Sequence, residues 1–117
     1  MRSIVVFLAA LGFAGVAAAH AHLQNSAPAN HSALAVAPTQ VTLNFHEAVQ
    51  LTALSVQAGS AKPQKLGPLP SETSKTFKLP LPSLDTGAYV ITWRAVSEDR
   101  HVMSGTIAFT VQAQVKK

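Results

Sequence analysis

The residues best suited to chemistry in this chain are its histidines. Five occur among 117 residues, and four side chains have spacing suited to a metal ion. His20 and His22 are separated by a single residue in "AAAHAHLQNSAPA". Asp99 and His101 are likewise separated by one residue in "SEDRHVMSG". In an extended segment, the side chains of an Asp-x-His triplet leave the same face. One carboxylate oxygen and one ring nitrogen can then meet a single ion. Alone the triplet is a weak signal, because such spacing also arises by chance and forms a local ion pair. The N-terminal histidines take their meaning from what precedes them.

The opening "MRSIVVFLAALGFAGVAAA" carries one early positive residue, Arg2, and an apolar core from Ile4 to Val16. Ala17 and Ala19 follow in the small-x-small pattern read by signal peptidase. The apolar run is shorter than the about 20 residues of a membrane span. Residues 1–19 are therefore expected to form a cleaved signal peptide, and residues 20–117 one small domain. Cleavage after Ala19 frees the α-amine of His20. That amine and the His20 imidazole form a chelate, and the amine holds its proton only modestly, titrating near ~8 in model compounds. Amine, two imidazoles and one carboxylate make a tetragonal N,O set. Such a set suits Cu(II), the ion at the top of the divalent affinity order. Zinc accepts the same donors but prefers tetrahedral placement. Two alternatives stay open. Ala19-His20-Ala21 is itself small-x-small, so cleavage after Ala21 puts His22 first. With His20 first, His22 is the third residue, and amine, backbone amides and third-position imidazole can wrap Cu(II) without Asp99 or His101.

Composition excludes several other functions. The chain has no cysteine, which removes disulfides, a lipoprotein anchor, a thiolate metal site and a cysteine nucleophile. An exported domain of this kind rests on its core alone, and the expected compartment is the bacterial periplasm or the exterior. The formal charge of +4 is a mild excess. Lys62, Lys65, Lys75 and Lys78 are scattered, with no basic stripe interleaved with aromatics, which argues against nucleic acid. Glu47, Glu72, Asp85, Glu98 and Asp99 form no evident catalytic pair. There is no glycine-rich phosphate loop and no nucleophile elbow, so no enzymatic activity is expected. Met103 is the single methionine left after processing, too few for a thioether cage around Cu(I). His31 lies in a polar turn and is expected to be solvated. His46 follows Phe45 and by alternation points away from it, to an exposed or rim position.

The elements that must position these groups read as short strands. "VTLNF" (Val41 to Phe45) alternates apolar and polar residues, the period of a half-buried strand. "LTALSVQ" (Leu51 to Gln57) is expected to be a second strand. "TFKLPL" (Thr76 to Leu81) is expected at an edge, because Pro80 cannot donate to a ladder. "AYVITWRAVS" is the strongest, with Tyr89, Ile91, Trp93 and Ala95 on one face. "GTIAFTVQ" follows, with Ile107, Phe109 and Val111 together. Asp85-Thr86-Gly87 marks a turn, prolines break the segment before Val41, and no helix is convincing. Residues 57–76, rich in Gly and Pro, are expected to be a surface loop. Short strands and frequent turns predict an all-β antiparallel sandwich or Greek-key barrel.

"YVITWRAVSEDRHVMSGTIAFTV" closely resembles the C-terminal signature of the CopC-type periplasmic copper-binding proteins: Trp-Arg, Val-Ser, Asp-x-His, Ser/Thr-Gly and Phe-Thr-Val. "HAHLQNSAPA" is similar to that family's mature start, and "VTLNFHEAV" to its Phe-Ser-Glu segment. The resemblance implies a seven-stranded, immunoglobulin-like Greek-key β-barrel. It implies a Cu(II) site made by the amine and imidazole of His20 with Asp99 and His101. It favours cleavage after Ala19, and it maps the family's glutamate to Glu47, in a supporting position next to the ligands. It also implies copper delivery to a CopD-type inner-membrane partner, and the protein is expected to be a monomer. Three departures stand out. His46 replaces the usual serine, which adds an auxiliary donor. Val102 replaces the usual proline. The loop that carries a methionine-rich Cu(I) site in some members has neither methionine nor histidine here, so the chain resembles the Cu(II)-only type. Two rival readings remain: a histidine-brace copper enzyme similar to polysaccharide monooxygenases, and a metal-free immunoglobulin-like interaction module.

Overall fold

Side-chain alternation over residues 40–58 builds the strand around which the rest of the chain is arranged. The computed structural model describes residues 23–113. It has seven strands: β1 Leu23–Ala27, β2 Ser32–Leu34, β3 Gln40–Ala58, β4 Gln64–Lys65, β5 Ser74–Pro80, β6 Gly87–Ser97 and β7 Val102–Val111. There is no helix among the described residues. The all-β class expected from the sequence is the observed one.

β3 corrects one expectation. The two strands anticipated at Val41–Phe45 and Leu51–Gln57 are a single strand of 19 residues. Its first half pairs with β1 on one edge and β5 on the other. Its second half pairs with β6 and β4. The strand passes from one partner to the next at Val49, which registers with both Ser74 of β5 and Ser97 of β6. Two irregularities allow this. Between Asn44 and Val49 the β5 register jumps, so that Phe45, His46, Glu47 and Ala48 stand opposite the single residue Lys75 in a bulge. Between Leu51 and Ala53, Thr52 is the extra residue, and its hydroxyl donates to the Arg94 carbonyl at 3.1 Å. An extra residue bends a strand and shifts its alternation. Leu51 and Leu54 can therefore both be buried, which a strict period of two forbids.

β6 and β7 form a regular antiparallel hairpin from Gly87↔Val111 to Val96↔Val102. Tyr89, Ile91, Trp93 and Ala95 of β6, and Ile107, Phe109 and Val111 of β7, are buried as their alternation requires. Phe45 joins the two parts of the core. Its ring lies edge-on to Phe77 at 6.0 Å and to Trp93 at 5.2 Å, the geometry aromatic quadrupoles favour. Each large side chain buried in this way is worth about 1.5–3 kcal/mol. Tyr89 stacks on Phe109 and donates its hydroxyl to the Asp85 carbonyl at 2.7 Å. A tyrosine at the start of a strand bonding backwards in this way is a hallmark of immunoglobulin-like sandwiches.

The anticipated edge strand is β5, which pairs only with β3 and ends at Pro80. β1 and β2 carry no clear alternation and are additions to the expected set. β2 pairs in parallel with β7, held by the His31 N–H to the Ala108 carbonyl and the Ala108 N–H to the Asn30 side chain. The 57–76 stretch is mostly loop, but its β4 registers with Ser55 and Val56.

Candidate metal centre

β6 and β7 are joined by Glu98, Asp99, Arg100 and His101, with Ser97 and His101 closing a loop of three residues. The Arg100 N–H donates to the Ser97 carbonyl and the Ser97 N–H to the His101 carbonyl, each at 2.9 Å. Arg100 has a φ of 73°, in the left-handed region. This is the three-residue hairpin loop in which a turn is followed by a left-handed residue. The Asp-x-His segment is thus a tight turn rather than an extended strand, and the turn itself brings the two side chains together.

Ser97 organises that turn. It is the one polar residue buried among those described, at 7% exposure. Its hydroxyl donates to one carboxylate oxygen of Asp99 and accepts the His101 N–H at 3.2 Å. The other carboxylate oxygen, Oδ2, lies 3.4 Å from His101 Nδ1. The Ser97 hydroxyl holds the Asp99 carboxyl below the usual carboxylate range, partial desolvation opposes this, and the charge of His101 adds to the lowering. Hydrogen bonds to the ionised form favour it, so Asp99 is a carboxylate at any neutral pH.

Both side chains remain open to a ligand, with His101 at 75% and Asp99 at 70% exposure. Two donors each about 2.0–2.1 Å from a zinc-sized ion lie roughly 3 Å apart when adjacent in its shell. The 3.4 Å separation is close to that bite, so the pair suits a divalent cation as one oxygen and one nitrogen donor.

The surroundings come from three elements. His101 lines a cavity of about 620 Å³ with Leu23, Trp93, Val102, Met103 and Gly105. Leu23 begins β1 and registers with Phe45, four residues before Val49 meets Ser97. The start of β1, the 45–48 bulge and the 97–101 turn therefore share one end of the sheet. Gly105 is required there: a Cβ on it would meet the Trp93 ring at 2.8 Å.

Asp99 and His101 are brought together as the sequence suggested. His46 and Glu47 are exposed on the bulge beside buried Phe45, the exposed position expected for His46. Among the described residues, no three His, Asp or Glu side chains form a metal-holding group. His31 is exposed, as anticipated. His20 and His22 lie outside the described residues. Sequence reading missed Ser97. Its signal was present, since it continues the buried face of Tyr89, Ile91, Trp93 and Ala95, where a hydroxyl must find partners.

Comparison with known proteins places the chain beside a family of copper proteins. Residues 23–112 match the CopC domain family. The chain is 33% identical over 118 residues to copper resistance protein C of Escherichia coli, covering 87% of this chain and 89% of that one. Its fold is similar to that of CopC from Methylosinus trichosporium OB3b, with a TM-score of 0.71 at 24% identity over 84% of this chain and 99% of that one. It is also similar to PcoC, a methionine-rich copper resistance protein from Escherichia coli, with a TM-score of 0.54 at 34% identity over 80% and 100% of the two chains.

Proposed function

The chain belongs to the CopC family, and on that premise we propose that it binds Cu(II) in the bacterial periplasm and buffers or delivers it. Copper is the cargo here. The proposed donors are the α-amine and imidazole of His20, a carboxylate oxygen of Asp99 and a ring nitrogen of His101. This reading requires export and cleavage after Ala19.

One observation carries the reading: Leu23, three residues after His20, lines the same cavity as His101. An extended chain spans at most about 3.3–3.6 Å per residue, so three residues give His20 a reach of roughly 10 Å from that wall. The donor chemistry is consistent with this. A carboxylate already ionised and two nitrogen bases need lose few protons to take up Cu(II). Glu47, on the bulge at the same end, is proposed to support the amine or a bound water, and His46 and His22 are auxiliary donors. Delivery by the monomer to a CopD-type inner-membrane transporter is the proposed fate of the metal.

The protein is proposed to have no catalytic role. Its single Trp and single Tyr are buried in the core, so neither supplies the flat aromatic platform a polysaccharide-oxidising enzyme needs.

The test is Cu(II) titration of the processed protein beside a variant carrying one extra residue before His20. The extension blocks the amine chelate and is expected to lower affinity by at least about tenfold. Equal affinity in the two proteins refutes the amine ligand.

A further inference from the structure

We propose that Met103 gives this groove a second metal chemistry: a Cu(I) site formed by the Met103 thioether and the His101 imidazole. The inference rests on the reading of His101 as a copper ligand and names a further form of the ion that the same residue would hold.

The placement follows from β7. Ile107, Phe109 and Val111 face the core, so Gly105 and Met103 continue the same face, and His101 stands two residues beyond Met103 at its rim. The pairings agree, with Gly105 opposite Trp93 and Met103 opposite Ala95, both inward residues of β6. Val102, between the two, points the other way and is 66% exposed. Alternate residues on a strand are about 7 Å apart, a distance that a methionine and a histidine side chain bridge when both lean to one ion. Met103 and His101 line one cavity, and Met103 is partly buried against the core.

The chemistry of the donors selects the ion. Thioether sulfur is soft and favours Cu(I) over hard divalent ions, whereas the carboxylate of Asp99 is hard and favours the reverse. Cu(I) is a d10 ion that accepts two or three donors, so an imidazole and a thioether suffice. A cage of several thioethers is absent from this sequence; one thioether beside one imidazole is a different donor set. On the face that Met103 shares, the neighbouring Leu23 and Trp93 are apolar and suit a singly charged soft ion. His101 is thereby common to both sites, so Cu(I) and Cu(II) exclude one another.

The experiment is anaerobic Cu(I) titration of the processed protein against a chromogenic chelator, beside Met103→Leu, with Cu(II) titrated into both. Leucine nearly conserves methionine's volume, a change cores tolerate. Met103→Leu is expected to weaken Cu(I) by at least about tenfold, as for loss of a donor, and to leave Cu(II) affinity unchanged. X-ray absorption supplies a direct readout. The chain has no cysteine and only Met1 besides Met103, so sulfur next to copper in the processed protein identifies Met103. Sulfur scattering in the Cu(I) form that disappears in Met103→Leu supports the site. Equal Cu(I) affinity in the two proteins, or a Cu(I) shell without sulfur, overturns it while Cu(II) binding stands. Failure to bind either ion overturns both this inference and the copper reading.

Discussion

The buried hydroxyl of Ser97 donates to the carboxylate of Asp99 within the turn that joins β6 and β7. The same oxygen accepts the backbone N–H of His101. One core side chain thus orients a carboxylate and an imidazole that are both largely in solvent. Exposed side chains otherwise lose rotamer freedom when they converge on an ion. Here part of that ordering is already achieved in the folded hairpin.

Replacing Ser97 with Ala removes the group chiefly responsible for the lowered Asp99 titration. The carboxyl titration of Asp99, followed by NMR, is expected to move up towards the ordinary Asp value. The sign for stability follows from the lowered folded value. The contribution of the carboxylate is present above the unfolded-state value and is lost as pH falls through the folded one. Acid unfolding curves of Ser97→Ala and the parent protein should therefore differ least at the lowest pH. Cu(II) affinity should fall about tenfold, as for other residues that orient a ligand. An unmoved Asp99 titration would show that Ser97 does not control it.

Trp93 is the single tryptophan and lines the cavity with His101. A paramagnetic ion bound there should quench its fluorescence and saturate at one equivalent. His101→Ala is expected to weaken that titration by at least about tenfold, and His31→Ala, on the exposed turn before β2, to leave it unchanged. Similar losses from both substitutions would place the metal elsewhere.

Gly105→Ala tests the packing beneath the site. The added methyl would sit 2.8 Å from the Trp93 ring, which is itself enclosed by the core. Overpacking of this kind costs about 1–3 kcal/mol, read as a lower denaturant midpoint. A shift in the emission maximum of Trp93 should accompany it. An unchanged midpoint would mean that the indole moves without resistance.

Tyr89→Phe keeps the ring that stacks on Phe109 and deletes only the hydroxyl bonded to the Asp85 carbonyl. A neutral hydrogen bond of this type contributes about 1 kcal/mol, so Tm should fall by a few degrees, about what that energy produces in a domain of this size. Cu(II) binding should not change, because the bond lies at the end of β6 away from the 97–101 turn.

Much of the fold was legible because it rests on period. The buried faces of β6 and β7 follow directly from Tyr89, Ile91, Trp93, Ala95, Ile107, Phe109 and Val111, and Pro80 marks β5 as an edge. The Asp99–His101 pair was legible as a candidate from its spacing, but the extended segment assumed for it is a turn, and it is the turn that brings the two side chains together. β1 and β2 were not, because short edge segments take their structure from the strands they join. Nor was the union of two expected strands into β3, because bulges at 45–48 and at Thr52 interrupt the very alternation used to read a strand. Tertiary structure alone decided that Ser97 ties Asp99 to His101, that Leu23 and Met103 share a cavity with that histidine, and that the bulge carrying His46 and Glu47 lies at the same end. Those relationships join residues far apart in the chain through register and burial. A linear sequence specifies them only through the energy of the whole packed sheet.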